Sequence, residues 1–358
     1  MVPPGGRITD APSGGSGLGT GTSFDRAAGV VTGGLRDGGR AVVLKVLVYG
    51  AGVIGSLFAA RLADSGQDVS ILARGDRLTA IRDGGIELEE VRSGLRTRTI
   101  VDVVERLSPE DSYDLVVVCV GKHQLPSVLP ALEENRRVAN VLFMLNNAEG
   151  SEALMRLLGR ERVVGGFPGA GGVLDGGTVK YLLIRQQRTV LGEPDGRRKS
   201  GPRLREMVAA FRRAGFPTET TSEIDAWLKT HATFISCVES AVHLAGDDNR
   251  KLARSPDALL EMVDGVREGF EALGALKTPV IPLKLRIMFA WMPRSYPVGY
   301  WRRELQGELG DYSLAPHTRA SIEEVRELIA EVRALVRSAS VPAPAMDRLF
   351  GWADAASR

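Results

Sequence analysis

The sequence lacks the features of a metal-binding, membrane or nucleic-acid-binding protein. Its two cysteines, Cys119 and Cys237, lie far apart, so neither a disulfide framework nor a metal-ligand spacing is present. No apolar run reaches the roughly 20 residues that a membrane span requires. The 46 basic and 44 acidic residues nearly cancel, leaving a net charge of +2. Composition therefore predicts no metal, no membrane and no nucleic acid as partner, and the sparse cysteines favour the cytoplasm.

The chain divides into three parts by composition and period. Residues 1–44 are rich in Gly, Ser, Thr and Pro and are predicted to form a disordered extension; a targeting peptide is the alternative, and the acidic residues argue against it. Residues 45–219 alternate short β-branched runs with helical periods, which predicts a Rossmann-type domain. Residues 220–358 are helical throughout. The fold class is therefore α/β, with a dinucleotide-binding domain followed by an all-helical substrate or dimerisation domain.

A glycine motif after the first strand is the strongest signal. The run Val46–Tyr49 stops at Gly50, and helix-spaced apolar residues begin at Val53, so Gly50-Ala51-Gly52-Val53-Ile54-Gly55 is G-x-G-x-x-G in a strand–turn–helix setting. Gly50 permits the tight turn, Gly52 permits close approach of a pyrophosphate, and Gly55 permits close packing of the helix on the sheet. The helix N-terminus adds free N–H groups and a partial positive charge. The motif predicts dinucleotide binding.

The end of the second strand favours NADP over NAD. An NAD site carries an acidic side chain there for the ribose 2′-hydroxyl, whereas this chain has Arg74, with Arg77 close behind. A guanidinium can bind a 2′-phosphate through two parallel hydrogen bonds. The alternative is that both arginines belong to a solvated turn.

Polar residues follow two predicted central strands. Lys122 follows the predicted strand Leu115–Val120, and Asn147 follows the predicted strand Val141–Leu145. Asn146 is the alternative to Asn147 as the site residue. Parallel strands place such ends at the edge where ligands bind. The glycine run Gly165–Gly172 is interpreted as a turn. Strands near Thr178–Leu183 and Arg188–Leu191 are expected to close the sheet.

The second half contains predicted long helices broken by prolines. We expect helices at Glu223–Leu244, Asp257–Leu273, His317–Ser338 and Ala345–Ala353. The stretch Lys284–Trp291 is expected to form a domain or dimer interface.

With these residues identified, the sequence from about Lys45 to Leu349 resembles the ketopantoate reductase (2-dehydropantoate 2-reductase) family. The matching pieces are Gly50–Gly55, Leu72–Arg74, Val120–Lys122, Asn147–Gly150, Trp227–Lys229 and Val341-Pro342. The resemblance implies reduction of a 2-oxo acid by NADPH in pantothenate biosynthesis. It implies that Lys229 is the catalytic acid, that Lys122 and Asn147 contact cofactor and substrate, and that Glu324, or else Glu323, holds the substrate hydroxyl; Ser313 matches a substrate-binding serine loosely.

The sequence departs from the family where the substrate would lie. The family usually carries asparagines four and eight residues after the lysine, but Thr233 and Cys237 occupy these positions. Helical spacing puts both on the Lys229 face, where they are expected to contact substrate, and turns His231 away from it. His317 is expected to share a helix face with Glu324 and to add a polar group. The acidic run around Glu324 also fits a salt-bridged, solvated helix face.

The sequence as a whole predicts an NADPH-dependent oxidoreductase that reduces 2-dehydropantoate or a close analogue, with a small-molecule 2-oxo acid as partner. A homodimer is left open. Two alternatives remain: a reductase of this family with a different keto substrate, and a non-catalytic NADPH-binding sensor. We expect Lys229 to act as the acid that protonates the reacting oxygen.

Overall fold

A computed structural model describes residues 42–194, 196 and 201–357 of the chain. Residues 1–41 of the predicted extension lie outside this range. The predicted boundaries at 44/45 and 219/220 remain predictions.

In the described residues, twelve strands form two sheets. In chain order they are β1 (Lys45–Tyr49), β2 (Asp68–Leu72), β3 (Ile86–Glu90), β4 (Arg96–Thr99), β5 (Asp102–Val104), β6 (Leu115–Val118), β7 (Val141–Met144), β8 (Val163–Phe167), β9 (Ala170–Asp175), β10 (Thr178–Leu183), β11 (Thr189–Gly192) and β12 (Thr218–Thr220). The main sheet has the order β12-β11-β8-β7-β6-β1-β2-β5, in which β11 pairs antiparallel to β8 and the other neighbours pair parallel. Its central strands, β1, β6 and β7, are buried on both faces apart from the exposed first residue of β1, as their continuous apolar runs require.

The second sheet corrects two of the sequence interpretations. Its order is β4-β3-β10-β9, so Thr178–Leu183 does not close the main sheet as expected. The glycine run is not a turn either, because its residues belong largely to β8 and β9. A Cβ on Gly166 would lie 2.9 Å from side-chain atoms of Leu142 and Leu191. Close packing, rather than turn geometry, therefore explains that glycine.

The helices lie between the strands and in the second half of the chain. In chain order they are α1 (Val53–Asp64), α2 (Gly75–Gly84), α3 (Leu125–Glu134), α4 (Glu152–Leu158), α5 (Pro202–Arg213), α6 (Ile224–Leu244), α7 (Asn249–Ala253), α8 (Pro256–Ala275), α9 (Leu283–Arg286), α10 (Ser295–Leu305), α11 (Ala315–Ala320), α12 (Ile322–Ala339) and α13 (Pro344–Phe350). Short 3₁₀ segments cover Lys122–Gln124 and Gly351–Ser357, and π-helical segments cover Ile287–Trp291 and Gly310–Leu314.

The helical half has its own apolar core, in which α6 is central. Most of the 21 residues of α6 are buried, and the helix packs against α8, α12 and α13. One predicted long helix is interrupted: α11 and α12 are separated at Ser321, so the helical period does not run from His317 to Ser338. In the part of the chain that the structure describes, no helix has the length and apolar character needed to span a membrane. The predicted fold class, a Rossmann-type domain followed by helices, is confirmed.

Candidate active site

One continuous cleft joins the carboxyl edge of the main sheet to the helical half. Its volume is about 1380 Å³. The sheet side contributes the glycine motif, the ends of β2 and β7 and part of β9, and the helical side contributes α6, α9, α10 and the start of α12. The cleft therefore opens at the carboxyl edge of the sheet, where the sequence predicted the site.

The three motif glycines have different steric surroundings. Gly50 has φ +110°, and a Cβ there would lie 2.6 Å from the Cys119 carbonyl oxygen. A Cβ on Gly55 would collide with the carbonyl oxygen of Gly50. Nothing lies within 4 Å of a Cβ on Gly52, which precedes α1 and lines the cleft. The turn is thus shaped by Gly50 and Gly55, and the space beside Gly52 is open to a pyrophosphate at the helix N-terminus.

The two arginines after β2 have different roles. Arg77 is held by hydrogen bonds to the Ala51 carbonyl oxygen (3.3 Å), the Ser56 hydroxyl (3.0 Å) and the Gly177 carbonyl oxygen (3.2 Å), and burial lowers its pKa. It therefore braces the glycine turn. Arg74 is exposed, lines the cleft and makes a long 3.5 Å hydrogen bond to the Tyr49 hydroxyl. Its guanidinium is the one available to a 2′-phosphate.

The predicted residues Lys122 and Asn147 form a buried network beside the cleft. The Lys122 amine donates to Asn147 Oδ1 (3.2 Å) and Glu149 (2.9 Å) and forms an ion pair with Glu331. Glu331 also accepts a hydrogen bond from the Ala148 N–H at 2.9 Å, and its burial raises its pKa against the opposing effect of Lys122. Asn147 bonds to both N–H and C=O of Gly150. Neither Lys122 nor Asn147 lines the cleft.

Asn146, the predicted substitute for Asn147, does line the cleft. Its side chain is buried, and its Oδ1 has no hydrogen-bond partner among the described residues. A buried amide oxygen without a partner is costly, and it indicates a position that a ligand completes. Asn147 instead turns toward Gly150 and Lys122, so of the two asparagines only Asn146 lines the cleft among the described residues.

The cleft face of α6 differs from the one that the sequence predicts. The residues of α6 that line the cleft are Trp227, His231, Phe234, Ile235 and Glu239. Thr233 and Cys237 are fully buried and face α8 instead, where they lie against Gly269 and Gly265. Thr233 and Cys237 therefore do not line the cleft in this structure, because the glycines of α8 leave room for these two side chains in the helix interface, and their contact with substrate stays a prediction.

Lys229 lies on the same stripe of α6 as Thr233 and Cys237, near the start of the helix. Its amine is 3.7 Å from the position of a Cβ on Gly150, beside the carboxylate of Asp225. Asp225 accepts hydrogen bonds from the Ser151 hydroxyl (2.6 Å) and N–H (3.1 Å). Asp225 thus holds the loop at Ser151, and Lys229 lies near Gly150 of the same loop and does not line the cleft.

Of the site residues predicted in the last part of the chain, Glu324 and Ser313 lie at the cleft. Glu324 lines the cleft, with its Oε2 2.9 Å from the Cβ position of Gly121, whereas Glu323 is exposed and pairs with Arg326 at 2.9 Å. Of the two predicted glutamates, Glu324 is therefore the one at the cleft. The Ser313 hydroxyl lies against Gly171 and also lines the cleft. The His317 side chain lies outside the described part of the structure, and the break at Ser321 removes the helical relation to Glu324 on which its prediction depended.

Comparison with known proteins identifies the family. Residues 46–196 match the profile described as ketopantoate reductase PanE/ApbA. The chain is 32% identical over 217 residues to 2-dehydropantoate 2-reductase of Archaeoglobus fulgidus, covering 60% of this chain and 68% of that one. It is 28% identical over 249 residues to the same-named protein of Pyrococcus horikoshii, covering 68% and 79%. The chain belongs to the ketopantoate reductase family.

Solved structures support the same fold. A putative ketopantoate reductase from Ralstonia solanacearum superposes with a TM-score of 0.70 at 20% identity, covering 88% of this chain and 98% of that one. D-mandelate dehydrogenase in complex with NADH and anilino(oxo)acetate superposes with a TM-score of 0.68 at 15% identity, covering 87% and 97%. Membership of the ketopantoate reductase family makes the chain an NADP-dependent oxidoreductase, as predicted from Arg74 and the glycine motif.

Arg74→Ala should weaken binding of NADPH far more than binding of NADH. The exposed guanidinium is the predicted partner of the 2′-phosphate that only NADPH carries, and a hydrogen bond between charged groups is worth about 1.5–3 kcal/mol, or roughly 10- to 100-fold in affinity. Fluorescence titration of both nucleotides with wild type and variant measures the difference. Arg82→Ala, on the exposed side of α2, is the control. Equal losses for the two nucleotides would contradict this assignment.

Sequence reasoning missed the cleft-facing His231 and the buried ion pair of Glu331. Because α6 is apolar on almost every side, its hydrophobic period did not show which face borders the cleft. Glu331 belongs to an acidic run that is typical of a solvated helix face, and its burial depends on Lys122 from the other half of the chain. No local signal distinguishes it from Glu323 or Glu327.

Proposed function

We propose that this ketopantoate reductase family member reduces a 2-oxo acid to the corresponding 2-hydroxy acid with NADPH. The observation that carries the proposal is the continuity of the cleft from the open space at Gly52 to the α6 face around His231. A dinucleotide with its pyrophosphate at Gly52 and its 2′-phosphate at Arg74 would extend toward Asn146. The substrate would then lie between Asn146 and α6.

The residues present fit the cofactor. Gly50, Gly52 and Gly55 leave room at the N-terminus of α1, and the unpaired amide oxygen of Asn146 can accept a hydrogen bond near the far end of the cleft. When bound, NADPH supplies the hydride that reduces the keto carbon. The protein must orient the keto acid, exclude water and deliver a proton to the reacting oxygen. Lys229, the predicted donor, would have to move from its place beside Gly150 to do this.

Ketopantoate is the first candidate substrate because the curated relatives reported above carry the name 2-dehydropantoate 2-reductase. A different keto acid is the second candidate, and the lining of the cleft favours it. The substrate end of the cleft is lined with large apolar and aromatic side chains, of which the first comes from β8 and the others from the helical half: Phe167, Trp227, Phe234, Met288, Tyr300 and Trp301. Such a lining suits a 2-oxo acid with a bulky branched or aromatic side chain.

A substrate panel tests both candidates. Purified full-length protein is mixed with NADPH and, separately, ketopantoate, small 2-oxo acids, branched 2-oxo acids and phenyl-substituted 2-oxo acids, and the absorbance of the reduced nicotinamide is followed. The highest kcat/KM for ketopantoate supports the first candidate, and the highest value for a bulky apolar acid supports the second. Binding of NADPH without reduction of any of these acids would contradict the proposal. That result would favour the alternative of a non-catalytic NADPH-binding sensor.

We also propose that the protein is a homodimer in the cytoplasm, without nucleic-acid or membrane partners. Exposed apolar side chains concentrate in one stretch of the helical half: Leu283, Ile287, Trp291 and Tyr296. An apolar patch of this kind is typical of a protein interface.

Trp291→Glu should shift a dimer to the monomer, because it places a charge at the centre of this patch. Light scattering coupled to size-exclusion chromatography measures the mass of each variant. Leu174→Glu, at an exposed apolar residue on β9, is the control and should leave the mass unchanged. A wild-type monomer at micromolar concentration would contradict the dimer.

A further inference from the structure

The cleft extends along the sheet beyond the strands that the cofactor would cover. Following the strand order, it runs from Arg74 after β2, past Gly50 after β1 and Asn146 after β7, to Phe167 at the end of β8. The next strand, β11, is antiparallel to β8, so the residues that precede β11 lie at the same edge of the sheet. These are residues 184–188, here called the rim loop, and all five of them line the cleft. A dinucleotide that ends near Asn146 would leave this part of the cleft to the substrate.

The rim loop is held in place by both halves of the molecule. On the sheet side, the Gln187 side-chain amide donates to the Pro168 carbonyl oxygen at 2.9 Å. On the helical side, the Gln186 side-chain amide donates to the Glu304 carboxylate at 3.1 Å, and the Lys284 amine donates to the Gln186 carbonyl oxygen. The charged side chains of this loop therefore project from a fixed backbone, which lowers the entropy cost of binding a ligand with them.

The charge at the rim loop is positive. Arg185, Arg188 and Lys284 are exposed and line the cleft. Arg185 forms neither a hydrogen bond nor an ion pair with any other residue that the structure describes, and Arg188 lies 3.8 Å from the Glu219 carboxylate. Three positive charges less this one negative charge leave +2. Guanidinium groups bind carboxylates through two parallel hydrogen bonds, so this end of the cleft suits an acidic group.

An apolar passage separates Asn146 from the rim loop. The ring centroids of Phe167 and Trp227 lie 5.5 Å apart at its wall, and Ile281 packs against the same apolar cluster. Asn146 follows β7 and the rim loop precedes β11, two strands further along the sheet. Two strand spacings amount to roughly 10 Å. A ligand that contacts both ends therefore needs an apolar body of about this length.

We propose that Arg185 and Arg188, together with Lys284, bind a second carboxylate at the far end of the substrate. The substrate class is then a 2-oxo dicarboxylic acid whose acidic ends are separated by an apolar chain or ring. This inference rests on the proposed function and names its substrate class. The 2-oxo acid end lies at the cofactor beside Asn146, and the apolar body lies along the passage at Phe167.

Turnover of acids matched in length tests the preference. Each dicarboxylic acid is compared with its monocarboxylic counterpart: 2-oxooctanedioate with 2-oxooctanoate, and 2-oxoglutarate with 2-oxopentanoate. At low salt the eight-carbon dicarboxylic acid should have a kcat/KM about 5- to 20-fold above its counterpart, because an exposed ion pair contributes up to about fivefold. The five-carbon dicarboxylic acid should show no such advantage, since its second carboxylate ends short of the rim loop.

Two double variants show whether the rim loop causes the preference. Arg185→Gln combined with Arg188→Gln should bring the eight-carbon ratio to about one. Lys277→Gln combined with Arg302→Gln removes the same charge from exposed residues that do not line the cleft, and it should keep the wild-type ratio. A ratio of one in wild type, or an unchanged ratio in the rim variant, overturns the inference, while reduction of the monocarboxylic acids leaves the proposed function intact.

Binding of unreactive oxamates separates the inference from turnover. N-pentyloxamate and N-(5-carboxypentyl)oxamate are titrated calorimetrically into the NADPH complex. Wild type should bind the carboxylated compound about 5- to 20-fold more tightly at low salt, and the difference should vanish at about 1 M salt, where exposed charges are screened. Equal affinities in wild type at low salt, or no binding of either compound, overturn the inference. If no acid is reduced yet this contrast appears and is lost in the rim variant, the proposed function fails and the anion site stands.

Discussion

We expect Gly52→Ala to weaken NADPH binding by about 100-fold while the free energy of unfolding stays within about 0.5 kcal/mol of wild type. The backbone of Gly52, at φ −74°, is accessible to alanine, and nothing lies within 4 Å of the new Cβ. The folded protein therefore accommodates the methyl group. It would occupy the open space at the N-terminus of α1, where a pyrophosphate needs close approach to backbone N–H groups worth about 1.5–3 kcal/mol each when the partner is charged.

Gly55→Ala is the matched comparison, since it adds the same methyl group three residues later. Its Cβ would collide with the Gly50 carbonyl oxygen, so the turn itself must shift. This variant should lose both stability and NADPH affinity, whereas Gly52→Ala loses affinity alone. Chemical denaturation and nucleotide titration of the two variants measure the contrast. A Gly52→Ala protein that binds NADPH as tightly as wild type would contradict the placement of the pyrophosphate.

The second large effect is expected at the buried ion pair. Lys122→Met should lower the free energy of unfolding by about 3–5 kcal/mol near neutral pH, because it leaves the Glu331 carboxylate buried without its partner. The Lys122 and Glu331 side chains are 12% and 6% exposed, so solvent screens the pair weakly. Urea denaturation of wild type and variant measures the loss.

The pH dependence and a double variant check the cause. Burial raises the pKa of Glu331 in the folded protein, so ionisation of this group opposes folding above that pKa, and the penalty disappears as the pH falls below the unfolded value. Removing Lys122 should raise the pKa further and make the loss smaller at acidic pH. Lys122→Met combined with Glu331→Gln keeps an acceptor for the Ala148 N–H and should recover most of the stability. A loss independent of pH would contradict the ion-pair explanation.

Local chemistry explains which parts of the fold were predictable. The β1–turn–α1 unit depends on a β-branched run, three glycines and an amphipathic helix within about 20 residues, and each of these is visible in the sequence. The glycines of β8 and β9 were interpreted as a turn, because glycine is permissive of both turns and tight packing. Distinguishing the two requires knowing that Leu142 and Leu191 lie against Gly166.

From the sequence, the candidate site could be placed at the ends of particular strands. Arg74, Glu324 and Ser313 do line the cleft, and their roles remain predictions. The predicted pair Lys122 and Asn147 adjoins the cleft but is occupied with Glu331, Glu149 and Gly150. The end of a predicted strand indicates the region in which polar side chains can meet a ligand. Which of two neighbouring residues faces the ligand depends on the exact residue at which that strand ends.

By itself, the sequence determined the dinucleotide turn, the preference for NADP and the order of the two halves, because these depend on sterics and charge among neighbouring residues. The tertiary structure alone decided which side of α6 borders the cleft. That helix is buried nearly all round, so its rotation is set by partners distant in sequence: Gly265 and Gly269 receive Cys237 and Thr233, and the stripe that contains His231 borders the cleft.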